Sequence, residues 1–228
     1  AIAAVQYLDR LRAVIHHRRN SNYRAQVMRS FKTHLLEIAR IYSKLQNIII
    51  SPNFHDVLIN EYIQPFPNCT VLDVGCGPAT ILEHLPEVRY FGLDHNPKYI
   101  AAASKKYGAQ GTFICAEVDQ LSEYGLKTFD RILLLAVMHH IDDEKLVKLV
   151  SELKKRLNNG GMLITFDVAF EENQNLIAKF LAANDRGKHV RTKEEYLEFL
   201  SSELKVVKAD LRHDLLRVPY THMFTCSE

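Results

Sequence analysis

The pattern of hydrophobic and polar positions changes once along this chain of 228 residues. Up to residue 64, apolar residues recur every three or four positions, which is the spacing of one face of a helix. This spacing predicts helices over residues 2–17, 23–46 and 51–62. From residue 70 onward, short apolar runs rich in β-branched residues alternate with amphipathic stretches. The pattern therefore predicts a helical N-terminal extension over residues 1–64 and an α/β domain over residues 65–228.

The apolar runs of the second region are predicted to be strands of one sheet. Those separated by helical stretches should be parallel, at residues 70–74, 88–94, 112–115, 129–136 and 161–168. Helices are predicted at residues 79–85, 97–107, 142–157, 173–183 and 192–200. The runs at 204–211 and 220–226 are joined by a loop too short for a crossover helix, so they should pair antiparallel. The expected fold is a mostly parallel seven-stranded α/β sheet that ends in an antiparallel hairpin.

The segment from Thr70 to Thr80, TVLDVGCGPAT, joins the first strand to a helix through a glycine turn. Asp73 interrupts the apolar strand, where a carboxylate is costly unless something uses it. Gly75 and Gly77 lack a Cβ, so the backbone can turn sharply and a ligand can come close. The second strand ends in Asp94, which could accept hydrogen bonds from two ribose hydroxyls or help to cap the next helix. A nucleoside site at the tips of these two strands is therefore expected.

One detail of the turn argues against a dinucleotide. The dinucleotide fingerprint needs a third glycine three residues beyond the second, and this chain has Thr80 there. A pyrophosphate is therefore less well accommodated. An oxidoreductase that uses a dinucleotide stays an alternative, disfavoured by Thr80 and by the antiparallel hairpin.

Composition and charge limit the partners and the compartment. The net charge of +2 is too small to imply a polyanionic partner for the whole molecule, although residues 1–46 hold nine arginines and lysines against two acidic residues. No C-x-x-C pair occurs, and the cysteines have apolar neighbours, as in a reduced cytosolic protein; they are Cys69, Cys76, Cys115 and Cys226. No bilayer-spanning run or signal-peptide pattern is visible, so a cytoplasmic location is expected. No ligand spacing suggests a metal.

Four motifs in the right order resemble those of class I S-adenosylmethionine (SAM)-dependent methyltransferases: VLDVGCGPAT, YFGLDHNP, FDRILLLAVMHHI and LNNGGMLITFD. The chain is similar over Thr70 to Glu228, above all to small-molecule enzymes related to the ubiquinone and menaquinone biosynthesis methyltransferases. The resemblance implies a Rossmann-like seven-stranded sheet with helices on both faces and an N-terminal helical cap. In one departure, the family usually places a glycine where Ala79 stands, and cofactor binding is expected to survive this change.

The resemblance implies SAM as the cofactor, leaving as S-adenosylhomocysteine (SAH), and assigns its contacts to residues at the strand tips. The methionine part would lie on the glycine turn, with its amino-acid end held by the acid before it, and these residues are Gly75, Cys76, Gly77 and Asp73. The ribose, adenosine and adenine would be contacted by Asp94, His95, Glu117 and the backbone amide of Val118. The sulfonium pocket would be lined by Leu135 and Ala136.

Two groups of residues are candidates for the chemistry and for acceptor binding. His139 and His140 follow the fourth strand, and a neutral imidazole could remove a proton from the acceptor; either histidine could instead pack or cap the next helix. The turn of the final hairpin should overhang the same edge, where the acceptor candidates, unless merely solvated, are Arg212, His213, Arg217 and Tyr220. A lid formed by the basic N-terminal segment, excluding water, would add Tyr23 and Arg24.

The sequence therefore predicts an enzyme that transfers a methyl group from SAM to a small-molecule acceptor by in-line displacement. Two alternatives stay open. The basic N-terminal helices could serve an RNA or protein methyltransferase, although the fourth strand lacks the N-P-P-Y-type sequence of enzymes that methylate bases. The chain could also be a SAM-binding protein without catalysis. The acceptor, the methylated atom and the oligomeric state are not predicted.

Overall fold

The structure, a computed structural model, describes residues 50–125 and 128–228. Its strands are β1 (Thr70–Val74), β2 (Arg89–Asp94), β3 (Gly111–Cys115), β4 (Phe129–Leu135), β5 (Leu157–Phe170), β6 (Arg191–Thr192), β7 (Val206–Arg212) and β8 (His222–Ser227). They form one sheet in the order β3-β2-β1-β4-β5-β8-β7, and the short β6 pairs with the end of β5. Strands β1 to β5 pair parallel, and β8 is antiparallel to both of its neighbours. The predicted α/β sheet with its antiparallel hairpin is confirmed.

The helices of the described residues are short, and most of them begin at a capping side chain. They are α1 (Phe54–Val57), α2 (Pro97–Tyr107), α3 (Asp143–Lys154), α4 (Leu176–Ala183) and α5 (Lys193–Ser201). Turns of 3₁₀-helix lie at Thr80–Glu83, Val118–Tyr124 and Met138–His140. The N-terminal backbone N–H groups of α2, α3 and α5 donate to the side chains of Asn96, Asp142 and Thr192, which act as N-caps.

The predicted helix at residues 79–85 was wrong in type and length. A 3₁₀ turn at Thr80–Glu83 takes its place. The reason is the backbone of Ala79, whose φ of 56° and ψ of 37° are left-handed. A right-handed helix cannot include a residue in that conformation, so regular structure starts one residue later.

The predicted end of the helix at residues 142–157 was also wrong. A helix was predicted up to residue 157, but α3 ends at Lys154, and Asn158 to Gly160 belong to β5. Leu157 pairs with Phe129 at the start of β4, and the register then shifts before Arg131. Strand pairing therefore recruits a segment whose own residues favour a turn.

The predicted helix at residues 51–62 takes a different form. After the four residues of α1, the chain widens into a π-helical turn at Leu58–Ile63. Leu58, Tyr62 and Ile63 are all buried, and this spacing of four and five residues suits the wider turn. The Tyr62 ring stacks on Phe224 of β8 with centroids 4.4 Å apart. The other predicted helices, at 2–17 and 23–46, lie outside the described residues, as do Tyr23 and Arg24.

Helices cover both faces of the sheet. On one face, α3 and α5 pack over Leu72 and Leu134 through residues that include Leu146, Val150, Tyr196 and Leu200. On the other face, α2 and the segment from α1 to the π turn pack over Val71 and Leu133 through residues that include Ile100, Ala103, Phe54 and Tyr62. Neighbouring residues of β1 and β4 therefore enter opposite cores, as expected of central parallel strands.

The parallel strands end at one edge of the sheet, and this edge positions the site. The strand order reverses between β1 and β4, and ligands of open α/β sheets bind outside the carboxyl ends of the strands at such a point. Within residues 50–125 and 128–228, no helix has the length and apolar character needed to cross a membrane.

Candidate active site

The glycine turn after β1 is joined to the tip of β2 by hydrogen bonds. The N–H of Gly75 donates to the carbonyl oxygen of Leu93 at 2.7 Å. The buried carboxylate of Asp94 accepts the N–H of Gly77 at 2.9 Å on Oδ2 and the N–H of Asn96 at 2.7 Å on Oδ1. Because a carboxylate has about four acceptor sites, Asp94 can hold both turns and still receive further hydroxyl groups.

The two glycines are needed for different reasons. Both have a positive φ, 72° at Gly75 and 53° at Gly77. A Cβ at Gly75 would lie 2.7 Å from Cγ2 of Val137, so the turn packs directly against the segment that follows β4. A Cβ at Gly77 would meet none of the described atoms within 4 Å. The backbone there faces open space, which fits a ligand lying over the turn.

Replacing Gly75 by alanine is expected to destabilise the fold and to weaken SAH binding. The left-handed backbone alone costs about 1–2 kcal/mol for a residue with a Cβ, and the contact with Val137 adds to it. Urea unfolding and calorimetry with SAH would measure the two effects. Gly160→Ala is the matched control, because its φ is 75° and a Cβ there would meet nothing within 4 Å. Equal losses in the two variants would contradict the proposed contact with Val137.

Asp73 is buried beneath the turn and accepts a hydrogen bond from a tyrosine of β2. The hydroxyl of Tyr90 donates to Asp73 Oδ2 at 2.5 Å. Burial raises the pKa of Asp73 to about 6, and the Tyr90 hydrogen bond only partly opposes this rise. A buried carboxylate with a raised pKa gains from a cation nearby, so Asp73 suits the amino group of a bound amino acid.

Ala79 occupies the position at which the family usually has glycine. Its φ of 56° explains the preference, because glycine adopts this conformation without strain. The methyl group of Ala79 is fully buried in the core. Ala79 therefore takes the left-handed conformation that favours glycine, with its methyl group packed in the core.

The residues expected around the adenine lie at the tips of β2 and β3. His95 is exposed, and its Nδ1 lies 3.9 Å from Asp94 Oδ1. Glu117 is also exposed, and its N–H donates to the side chain of Gln120 at 2.9 Å. Val118 is buried, so only its backbone could serve a ligand. The carboxylate of Glu117 lies at the surface of this edge, where it accepts the N–H of Gln120 in a capping box.

The tip of β4 has an unusual backbone conformation. Leu135 is partly buried, and the exposed Ala136 that follows has a φ of 59°. The N–H of Ala136 donates to the carbonyl oxygen of Phe166 at 2.6 Å. Left-handed non-glycine residues collect at functional sites, so this position agrees with a role beside the reacting atoms.

His139 is buried between two carboxylates. Its Nδ1 lies 2.5 Å from Oδ1 of Asp167 in β5, and its Nε2 lies 3.3 Å from Oδ1 of Asp185, in the loop after α4. Burial alone lowers the pKa of His139, but the two carboxylates outweigh it and raise the pKa to about 9. Burial alone would raise the pKa of Asp185, but hydrogen bonds from His139 and from the N–H of Gly187 outweigh it and lower this pKa to about 2. At neutral pH His139 is therefore an imidazolium with both nitrogens occupied.

His140 differs from its neighbour in exposure and charge. It is exposed, and its ring centroid lies 4.1 Å from that of His139. Although the residue is exposed overall, desolvation of part of its ring and the positive charge of His139 lower the pKa of His140. The adjacent histidines are thus set apart: His139 is cationic and enclosed, whereas His140 is neutral and accessible at pH 7.

Tyr220 and His222 extend this network to β8. The buried Tyr220 donates its hydroxyl hydrogen to Asp185 Oδ2 at 3.0 Å. The His222 ring stacks on Tyr220 and on Phe166, with centroid distances of 5.1 and 4.7 Å. Burial lowers the pKa of His222 to about 3, so its ring is neutral. Tyr220, predicted to bind the acceptor, has its hydroxyl directed at Asp185.

The other hairpin candidates are engaged elsewhere or exposed. Arg212 forms a two-pronged ion pair with Asp214, at 2.9 and 2.8 Å, and a further bond to Glu61 at 3.1 Å. Its guanidinium is therefore already occupied by carboxylates of the protein. His213 and Arg217 are exposed.

Sequence reasoning missed Asp167 and Asp185. A signal for Asp167 was present, because it interrupts the apolar run LITFDVAF just as Asp73 interrupts the run in β1. Asp185 lies in a polar loop where nothing distinguishes it from a solvated residue. Only the fold brings it to His139.

Comparison with known proteins finds similarity to methyltransferases over part of the chain. A family model described as a methyltransferase domain matches residues 71–161. The carboxy-S-adenosyl-L-methionine synthase of Campylobacter jejuni is 31% identical over 101 residues, 42% of this chain and 43% of that protein. The enzyme of the same name from Campylobacter hominis is 26% identical over 115 residues, 49% of each protein. The chain spans about half the length of these curated relatives or less.

Solved structures share the fold over most of the chain. A SAM-dependent methyltransferase from Clostridium acetobutylicum superposes with a TM-score of 0.62 at 14% identity, covering 84% of this chain and 97% of that one. A TehB-like SAM-dependent methyltransferase from Corynebacterium glutamicum gives a TM-score of 0.59 at 15% identity, covering 86% and 97%. At this identity the likeness concerns the fold alone.

The sheet order and the matched segment define the class: this is the Rossmann-like fold of SAM-dependent methyltransferases. Over residues 71–161 the chain also matches the model of a methyltransferase domain, in agreement with this fold. That segment contains the glycine turn, Asp94 and both histidines. The resemblance drawn from the four motifs is confirmed.

Proposed function

We propose that this chain transfers a methyl group from SAM to a small-molecule acceptor. The observation that carries the proposal is the cradle at the tips of β1 and β2. There Asp94 holds Gly77 and Asn96 by their N–H groups while the backbone of the glycine turn faces open space. Within the methyltransferase domain, this cradle has the acceptors and the room that a nucleoside requires.

We assign the contacts of SAM along the strand tips. The turn from Gly75 to Gly77 would support the methionine part and Asp73 its amino group. Asp94 would receive the ribose hydroxyls, with His95 at the border of the adenosine. The adenine would meet Glu117 and the amide of Val118, and the sulfonium pocket would include Leu135 and Ala136.

The chemistry asks the chain mainly for positioning. The bound sulfonium supplies an activated methyl group. The chain holds the acceptor atom in line with it, and well-oriented reactants gain about 7–11 kcal/mol. If the acceptor atom carries a proton, His140 would accept it, because its ring is exposed and neutral at pH 7. His139 cannot do so while Asp167 and Asp185 occupy both of its nitrogens.

A second candidate activity is suggested by the names of the curated relatives. Both are carboxy-SAM synthases, so this chain could convert SAM into a carboxylated form of it. The two activities leave different nucleosides. Methyl transfer yields SAH, whereas a carboxy-SAM synthase yields a sulfonium nucleoside with an added carboxyl group. The second activity also requires a carboxyl donor. Mass spectrometry of the nucleoside after incubation with SAM and the small-molecule fraction of a lysate, which can supply an acceptor or a carboxyl donor, would distinguish them.

The acceptor and the compartment are part of the same proposal. We propose that the acceptor is a small molecule rather than a nucleic acid, and that the chain acts in the cytoplasm. A salt-dependent gel shift with RNA would argue for the RNA alternative. The decisive experiment combines mass spectrometry of ligands that co-purify with the protein and transfer of a radiolabelled methyl group from SAM to the small-molecule fraction of a lysate. Binding of SAH without any methyl transfer would contradict the proposed enzymatic activity and indicate a SAM-binding protein without catalysis.

Replacing His140 by alanine should lower turnover more than it lowers cofactor affinity. Removal of a positioned proton acceptor typically lowers the rate about 10²–10⁴-fold. The cofactor contacts proposed above do not include His140, so its removal should affect SAH affinity less. Turnover from the labelled-methyl assay and the SAH affinity from calorimetry give the two numbers. His95→Ala serves as the control, because it removes an exposed imidazole on the cofactor side. Turnover of His140→Ala at the wild-type level would remove His140 from the mechanism.

A further inference from the structure

A stretch of seven residues runs along the turn that carries the two histidines and contacts it at every second position. We call residues 185–191 the strap. The residues directed at the turn are Asp185, Gly187, His189 and Arg191. Between them, Arg186 and Lys188 are exposed. The strap bends at Asp185, Arg186 and Lys188, and its last residue begins β6.

The first three inward positions hold His139. Oδ1 of Asp185 lies 3.3 Å from His139 Nε2. A Cβ at Gly187 would lie 2.0 Å from Cδ2 of the same ring, so only glycine permits the strap to pass there. The N–H of His189 donates to the carbonyl oxygen of His139 at 3.0 Å. Ring and backbone of His139 are therefore fixed from one side.

The fourth inward position, Arg191, holds both ends of the turn. Its Nη1 donates to the carbonyl oxygen of Met138 at 3.0 Å, and its Nη2 donates to that of Ile141 at 2.7 Å. Nε and Nη2 also donate to Oδ1 of Asp143, at 3.1 and 2.6 Å. Met138 and Ile141 flank the histidine pair directly. One guanidinium thus spans the two peptide groups that set the direction of the histidines.

The surroundings of Arg191 restrict its side chain to this geometry. The guanidinium carbon lies 5.0 Å from the ring centroid of Phe199 and 5.9 Å from that of Tyr196. Arg191 is only 5% exposed. A planar group with fixed donors can hold two carbonyls at a set separation, which a lysine ammonium cannot do.

We propose that Arg191 is a positioning residue for methyl transfer, which orients His140 by holding the carbonyl oxygens on either side of the histidine pair. The chemical consequence rests on the proposed function, in which His140 accepts the proton of the acceptor. The effect of Arg191 on the orientation of His140 does not depend on the proposed function, and it can be measured without any acceptor.

The test is a histidine-ring NMR titration of the full chain, comparing wild type with Arg191→Gln. The charged groups that face His140 are His139, Asp185, Asp167 and Arg186. When the turn is released, His140 should leave this environment, and its pKa should rise toward about 6.5, the value of an unperturbed imidazole. Arg191→Lys keeps the charge but cannot span both carbonyls, so we expect the same rise. The lysine variant also serves if the glutamine variant fails to fold.

Arg131 provides the matched control at the opposite edge of the sheet. It is also buried, and it donates to the carbonyl oxygens of Ile63, Gln64 and Asp130. Arg131→Gln should lower the melting temperature as Arg191→Gln does, yet leave the His140 titration at its wild-type position. An unchanged His140 titration in both Arg191 variants would overturn the positioning role, as would an equal change in Arg131→Gln. If wild type fails to release SAH from SAM but His140 responds to Arg191, the proposed function fails and the positioning role stands.

Discussion

Asp94→Ala should weaken SAH binding by about 100-fold or more. Hydrogen bonds to a charged group contribute about 1.5–3 kcal/mol each, and the ribose would lose two of them. The variant also releases the N–H groups of Gly77 and Asn96, so the turns that form the cradle lose their common acceptor. Calorimetric titration with SAH measures the loss directly.

A second carboxylate separates the loss of affinity from a general loss of stability. Asp130 accepts the N–H and the hydroxyl of Thr70, at 2.8 and 2.7 Å, and the side-chain amide of Asn158 at 2.7 Å. It joins neighbouring strands at the opposite edge, much as Asp94 does at the site. Asp130→Ala should therefore reduce stability while SAH affinity is kept. Wild-type affinity in Asp94→Ala, or an equal loss of affinity in Asp130→Ala, would contradict the ribose role.

The sequence predicts the features that are local and misses those that depend on distant partners. The glycine turn and Asp94 could be found because strand, turn and acid follow one another within a short stretch. Apolar runs located the strands for the same reason. Asn158 to Gly160, in contrast, have the composition of a turn, and only their pairing beside β4 makes them part of β5. Propensity gives way there to tertiary contacts.

The same distinction between local features and distant partners applies to the candidate site. The histidine pair was a candidate from its place after β4, but the sequence could not assign different roles to its members. The difference comes from Asp167 and Asp185, which lie 28 and 46 residues beyond His139. Their carboxylates reach the ring only after β5 and the loop following α4 are in place. The charge state of His139 is thus a property of the fold.

His139→Gln should reduce the free energy of unfolding by about 3–5 kcal/mol at pH 7, because removing one member of a buried charged pair leaves the other uncompensated. Glutamine has about the right volume, but it cannot carry the charge that faces both Asp167 and Asp185. Urea unfolding of wild type and variant measures the difference. The double variant His139→Gln, Asp167→Asn is the control. It should regain part of the loss, because the buried carboxylate of Asp167 is then also gone.

The pH dependence of this difference tests the charge itself. The pKa of His139 rises from 6.5 to about 9 on folding, so the folded state holds a proton that the unfolded state releases earlier. The stabilisation is complete below pH 6.5 and is lost as the pH rises through about 9. Its full size is about 3 kcal/mol. The shifts of Asp73 and His222 act below this window, since their folded pKa values are about 6 and about 3.

The stability difference between wild type and His139→Gln should therefore shrink steadily between pH 6.5 and 9. Because the thiols and tyrosines that titrate at the alkaline end are the same in both proteins, their contributions cancel in the difference. A difference that stays constant across this range would mean that His139 is neutral at pH 7. The imidazole would then have one nitrogen without a proton, and His139 would compete with His140 as the proton acceptor.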